Sequence, residues 1–197
     1  HDHARYKNAC YLSGHIYTFM MDDENEEKLI KICPETNDET VCSPSIDWGK
    51  SSIVCPDEKE EIIAIANNRN QLFLFDAKKL SAQLIDQSKE SEIKDLNWSH
   101  DGRYLAYSKG IEHDKEAIFL YDIENKKSQI LIQPIYQDFS PYFDPNGDYL
   151  YFLSIREFNP VISEASRNYS YPHAIKPYAI CLRNDVVSPL DTHLDFE

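Results

Sequence analysis

The stretch Asp95-Leu96-Asn97-Trp98-Ser99-His100-Asp101-Gly102-Arg103-Tyr104-Leu105-Ala106-Tyr107 decides the fold, because the chain says it again about forty-five residues later. The second version is Ser140-Pro141-Tyr142-Phe143-Asp144-Pro145-Asn146-Gly147-Asp148-Tyr149-Leu150-Tyr151-Phe152. In both, an aromatic residue precedes a turn closed by Asp-Gly or Asn-Gly, and an aromatic-rich run follows. Glycine, and asparagine less freely, tolerates the positive φ that such hairpins demand. A period of roughly 40–50 residues built from short strands and turns is the signature of a propeller blade.

Working outward, the pattern stays in step. Ile62-Ile63-Ala64-Ile65-Ala66 is followed by Gln71-Leu72-Phe73-Leu74-Phe75-Asp76 and then by Ala82-Gln83-Leu84-Ile85. The next unit runs from Tyr104 to Ser108, then Ala117-Ile118-Phe119-Leu120-Tyr121-Asp122, then Ser128 to Ile132. Short β-branched and aromatic runs of this kind read as antiparallel strands joined by hairpins. A weaker early copy places His15 to Met20 in a third-strand slot and Lys28 to Ile32 in a fourth, before an irregular polar segment from Pro34 to Lys59. A last partial copy starts at Tyr149 and resumes at Pro177 after an insertion. The chain thus divides into 1–60, an early blade region with an irregular loop, and 61–197, propeller blades with an insertion at 159–176. Sustained helical periodicity is missing, so the expected fold class is all-β, with three to four consecutive four-stranded antiparallel blades. Each such sheet has two apolar faces that only neighbouring blades can cover. About four blades do not close a ring of roughly six or seven, so a longer polypeptide or another chain is expected to complete it.

Bulk composition narrows the function classes. The 197 residues are 42% hydrophobic and 12% aromatic, enough for a real core. A formal net charge of −14 argues against a phosphate-binding surface, and no basic stripe is present, so no nucleic acid is expected as partner. No run approaches the roughly eighteen apolar residues of a membrane helix, so no membrane is expected either. The five cysteines are odd in number and form no Cys-x-x-Cys pair, which reads as idle thiols in a reducing, cytoplasmic setting.

From about Ile62 to Pro189 the chain resembles the propeller region of tricorn proteases, large self-compartmentalising serine peptidases. The matching words are Ile65-Ala66-Asn67-Asn68-Arg69, residues 136–144, and above all Tyr149-Leu150-Tyr151-Phe152-Leu153-Ser154-Ile155-Arg156-Glu157-Phe158-Asn159-Pro160. Lys176-Pro177-Tyr178 ahead of a strand also fits, whereas residues 1–60 match poorly. The resemblance implies part of a seven-bladed second propeller that lines a passage filtering unfolded peptides toward an active site. It also implies that the catalytic serine, histidine and glutamate lie in other domains, with no counterpart here. The partners it implies are peptides or unfolded polypeptide, the remaining domains of the parent protease, or other copies of itself. Ser99-His100-Asp101-Gly102 departs from the family's commoner Ser-Pro-Asp-Gly turn, harmlessly, since only the glycine is conformationally demanding.

Candidate sites are few. Ser99-His100-Asp101 holds the residue types of a hydrolase triad, but neighbours in one tight turn do not converge as a relay. Ser13-Gly14-His15 lacks the Gly-x-Ser-x-Gly elbow. His1-Asp2-His3 reads as a frayed end rather than a metal site, and no cofactor is expected. The acidic run from Asp22 to Glu27 reads as a solvated hairpin loop, because it lacks the central glycine of a calcium loop. Trp98 and Phe143, at equivalent places in two repeats, are expected to pack between blades. The insertion, with Arg167, Tyr169, Tyr171 and His173, is the candidate peptide or partner contact. Two rival readings are a stand-alone TolB-like interaction propeller and the propeller of a prolyl-oligopeptidase-like hydrolase.

Overall fold

A computed structural model of the chain describes residues 5–42, 45–112, 115–156, 161–162, 169–170 and 174–189. Every regular element among them is a strand. The first sheet joins β1 (Arg5–Leu12), β2 (His15–Met21), β3 (Glu27–Ile32) and β4 (Glu39–Cys42). The second joins β5 (Ser51–Asp57), β6 (Ile62–Asn67), β7 (Gln71–Asp76) and β8 (Ser81–Gln87). The third joins β9 (Lys94–Trp98), β10 (Tyr104–Glu112), β11 (Lys115–Asp122) and β12 (Lys127–Ile130). In the fourth, β13 (Gln137–Phe143) and β14 (Tyr149–Ile155) are followed, after the small hairpin β15 (Val161–Ile162) and β16 (Tyr169–Ser170), by β17 (Ile175–Cys181). All pairings are antiparallel, and the strands follow chain order in every sheet. The first strands β1, β5, β9 and β13 contact one another in sequence, so they form the inner rim of a radial stack.

Two details of the early blade differ from the sequence reading. His15–Met21 and Glu27–Ile32 are its second and third strands, and β4 and β5 lie inside the segment read as irregular. Their patterns are weak for a physical reason. β1 is largely exposed or half-buried, and β4 exposes three of its four residues, so neither shows the apolar run that marks a covered strand.

The core explains why the central strands read as continuous apolar runs. Ile63 and Ile65 of β6 pack with Tyr17 and Phe19 of the first blade, while the intervening Ala64 and Ala66 pack with Leu105 and Tyr107 of the third. A strand projects alternate residues to opposite faces, so β6 serves two cores at once. The same division recurs in β10, where Leu105 and Tyr107 face the second blade and Ala106 meets Phe143 and Leu150 of the fourth. Bulky residues on one face meet small residues on the next, which is how stacked sheets interdigitate at crystal-like density. Trp48, in the connection before β5, fills the first joint. Its ring lies 5.7 Å from Phe19 and 5.5 Å from Phe73, edge-on to both.

The two turns that define the repeat have the same build. Ser99 N–H donates to Tyr104 O at 2.8 Å and Gly102 N–H to Ser99 O at 2.9 Å; Asp144 N–H and Gly147 N–H make the corresponding bonds, each 2.9 Å. Gly102 and Gly147 have φ of +75° and +77°. Their surroundings differ. A Cβ on Gly102 would lie 2.7 Å from Asp57 Oδ2, whereas among the described residues nothing stands within 4 Å of the same position on Gly147. Both alanine variants take on the left-handed penalty of roughly 1–2 kcal/mol, but only Gly102→Ala must also displace the buried Asp57. In paired thermal unfolding scans, Gly102→Ala is expected to melt several degrees below Gly147→Ala. Equal melting temperatures would show that the joint between blades two and three is loose.

Candidate functional site

The inner rim is the part of a propeller that faces the central passage, and its free backbone edges need partners. Here the partners are side chains of neighbouring blades. Asn8 of β1 donates through Nδ2 to Ser51 O of β5 at 2.9 Å, and the Glu27 carboxylate accepts from Ser51 N–H and Oγ, both at 2.7 Å. Trp98 Nε1 donates to Cys55 O at 2.9 Å, tying β9 to β5. Asp95 Oδ2 accepts from Ser140 N–H at 3.0 Å, and Asn97 Oδ1 from Phe143 N–H at 2.7 Å, tying β13 to β9. Each joint between consecutive blades therefore carries at least one side-chain bond to inner-strand backbone.

These bonds depend on local irregularity. Asn8, Asp95 and Ser140 have φ of +52°, +56° and +53°, and the pairing register shifts beside each. A bulge turns a side chain out of the normal alternation and interrupts an edge that could otherwise recruit a strand. Asp95 is held in turn by Ser108 Oγ at 2.6 Å. The equivalent bulge at Ser140 lies in β13 of the fourth blade, where Asp138, buried, accepts from the Ser154 hydroxyl.

At the base of the insertion, Arg156 is stacked in an aromatic box. Its guanidinium carbon stands 4.1 Å above the Tyr178 ring, 5.1 Å from Tyr136 and 5.6 Å from Phe152, and Nη2 reaches Asp138 at 3.3 Å. An arginine offers a planar face to rings and a fork to a carboxylate together. Arg156 thus anchors the exit from β14. Of the insertion residues read as a contact, Arg167, Tyr171 and His173 lie outside the described residues. For Tyr169, only its place opposite Ile162 in the β15–β16 pair is described.

The other sequence candidates resolve as follows. Ser99 Oγ donates to Asp101 Oδ1 at 2.6 Å and accepts from Tyr104 N–H at 2.8 Å, so the hydroxyl serves its own turn and no histidine bridges it to the acid. Burial pushes the Asp101 carboxyl up, but the Ser99 hydroxyl and the Arg103 amide outweigh it and hold the group below its ordinary value. Ser13 and Gly14 form the β1–β2 turn, with His15 Nδ1 3.0 Å from Ser13 O. His1-Asp2-His3 lies outside the described residues, among which no cluster suited to a metal occurs. In the acidic run, Asp22 to Glu26 form the β2–β3 turn, but Glu27 is not solvated. It is buried, pairs with Lys7 at 2.5 Å and holds β5, because the second blade closes over it. Trp98 and Phe143 do sit between blades.

The thiols are all free. Burial pushes Cys10 and Cys55 up to about 11, each with a smaller contribution from a nearby acidic group, Cys55 and Asp57 respectively. Cys33 is held below its ordinary value, first by the Thr36 hydroxyl and then by the Thr36 and Glu35 amides. Since the thiolate is the nucleophile, iodoacetamide at neutral pH is expected to modify Cys33 well before Cys10 and Cys55, as read by peptide mass mapping. Equal rates would contradict the packing of the inner rim.

Radially stacked antiparallel sheets with polar locks at the inner rim define an arc of a β-propeller. Against known families, residues 1–196 match the tricorn protease second beta propeller domain. The chain belongs to the tricorn protease family, as part of its second propeller. It is 34% identical over 175 residues to a Tricorn-like protease C-terminal subunit of Sulfurisphaera tokodaii, covering 88% of this chain and 20% of that protein. With a tricorn protease homolog of Saccharolobus solfataricus it shares 31% over 171 residues, 87% of this chain and 16% of the relative. The crystal structure of the tricorn protease superimposes with a TM-score of 0.84 at 22% identity, covering 94% of this chain and 18% of that one. The chain therefore spans a fifth or less of the relatives it matches. The family match extends through residues 1–60, where the sequence words were faint, and sets aside the TolB-like and prolyl-oligopeptidase-like readings.

Proposed function

We propose that this propeller segment is a non-catalytic wall of the peptide path in a tricorn-like serine protease. It guides or gates peptides toward catalytic domains that these residues do not include, and it supports assembly with those domains or with other copies of itself. The observation that carries the reading is the capping of inner-strand backbone by Asn8, Glu27, Asp95, Asn97 and Trp98. A passage whose inner-strand backbone is bonded at these points offers a moving polypeptide less opportunity to add as a strand. Contacts are then side chain to side chain, weak enough to release. The net charge of −14 adds attraction for basic segments, an effect that fades with salt. Five free thiols support a reducing, cytoplasmic setting.

The test is an assay of the 197-residue chain on fluorogenic peptides. No turnover is expected. Turnover abolished by a serine-directed inhibitor would overturn the non-catalytic assignment.

A further inference from the structure

We propose that the groove between the third and fourth blades, on the side of the β9–β10 and β13–β14 turns, binds a bulky apolar side chain of an extended peptide that carries a basic group beside it. The inference rests on the peptide-path reading above and adds a place and a chemical preference to it.

The groove is a departure from the repeat. In the second blade, the residue paired with the start of the second strand is Asp57, and its carboxylate fills the space against Gly102 of the next blade. In the third blade that position is Ser99, whose shorter side chain is bonded inside its own turn. Among the described residues, neither it nor any other atom comes within 4 Å of where a Cβ on Gly147 of the fourth blade would stand. The space left open is a cavity of about 450 Å³, within the range of roughly 300–1,000 Å³ seen for small-ligand sites.

Its lining sets the occupant. Half-buried Leu120 and Leu131 line the space above the packed Phe143 and Leu150, which favours a bulky apolar group over a polar one. The rim is acidic. Asp101 stands on one side, with the Lys59 charge acting on it, and on the other Arg183 is paired behind the lining with Asp148 at 3.1 Å and Asp185 at 2.7 Å, leaving three carboxylates to two cations. A lysine, arginine or free amino terminus next to the buried side chain complements that rim.

Fluorescence anisotropy of a labelled Gly-Ser-Phe-Lys-Ser-Gly peptide titrated with the 197-residue chain tests the proposal. Its versions with Phe replaced by Ser, and with Lys replaced by Glu, are each expected to bind about tenfold more weakly, the first for lost apolar burial. Asn146→Trp and His100→Trp narrow the groove from opposite turns, and each is expected to weaken the parent peptide by about tenfold or more. Gln83→Trp, in the groove between blades two and three, is expected to change it less than about twofold. Thermal unfolding identifies any variant that fails to fold, and the other groove variant then carries the result. Binding of the parent peptide that both groove variants leave unchanged would overturn the site, give the groove to another occupant such as a segment of the chain itself, and spare the peptide-path reading. Failure of the wild-type chain to bind any of the three peptides would overturn both.

Discussion

Replacing Trp48 with alanine is expected to lower stability by about 3–5 kcal/mol, the range for deleting a fully buried aromatic side chain. The residue is 2% exposed and its ring touches Phe19 of the first blade and Phe73 and Phe75 of the second, so the cavity would open at the centre of a joint. Neither sheet can collapse into it, since both are fixed by their own hydrogen-bond ladders. Urea unfolding read by circular dichroism measures the loss. Trp98→Ala is a useful partner variant, because Trp98 is only partly buried and donates a single bond, to Cys55 O. A Trp48→Ala loss no larger than that of Trp98→Ala would mean that the first joint is not closed as described.

The second large effect is expected at Asp86. This β8 carboxylate accepts from Lys109 Nζ at 2.6 and 2.8 Å and from the Tyr107 hydroxyl at 2.5 Å, both on β10 of the next blade. Lys109 also lies 4.2 Å above the Phe119 ring, and its side chain and that of Asp86 are each 13% exposed. Burial, with Asp86 adding to it, pushes the Tyr107 hydroxyl well above its ordinary value. Asp86→Ala strands an ammonium in a tight joint, while the Tyr107 hydroxyl keeps Ser128 Oγ at 2.6 Å, and is expected to cost about 3 kcal/mol, the lower end for breaking a buried pair. Pairing it with Lys109→Met, which removes the orphaned charge, is expected to recover much of that loss. Additive losses in the double variant would show that the two groups act independently.

Much of the fold is legible in the residues, and the reason is physical. The words around Phe73–Asp76 and Phe119–Asp122 belong to strands covered on both faces, so they carry no polar interruption and repeat nearly unchanged. The Asp-Gly and Asn-Gly turns are legible because few residues accept their φ. What the sequence hides is whatever is stabilised by the next blade. β4 looks polar because it is an outer strand with three of its four residues exposed, β5 because one of its edges meets Asn8 and Glu27 of the first blade, and Glu27 looks like one more surface acid until Lys7 and Ser51 close on it. Asp95 and Asn97 left a faint signal. Two polar residues that alternate with Leu96 and Trp98 mark a face that meets hydrogen-bonding groups, here the backbone of β13. Trp48 left none, since an isolated tryptophan in a loop gives no period. Arg156 stood inside a family word, and the aromatic box explains why an arginine suits that place.

The measurement closest to the central claim is a set of three proton–proton NOEs, one for each joint between consecutive blades. The expected cross-peaks join the Tyr17 and Phe75 rings, 5.9 Å apart between centroids, the Trp98 indole N–H and Cys55, and the Phe143 amide and Asn97 side chain. Observing all three in the folded chain would establish the radial order of the four sheets. Strong intra-sheet NOEs with none of these three would contradict it.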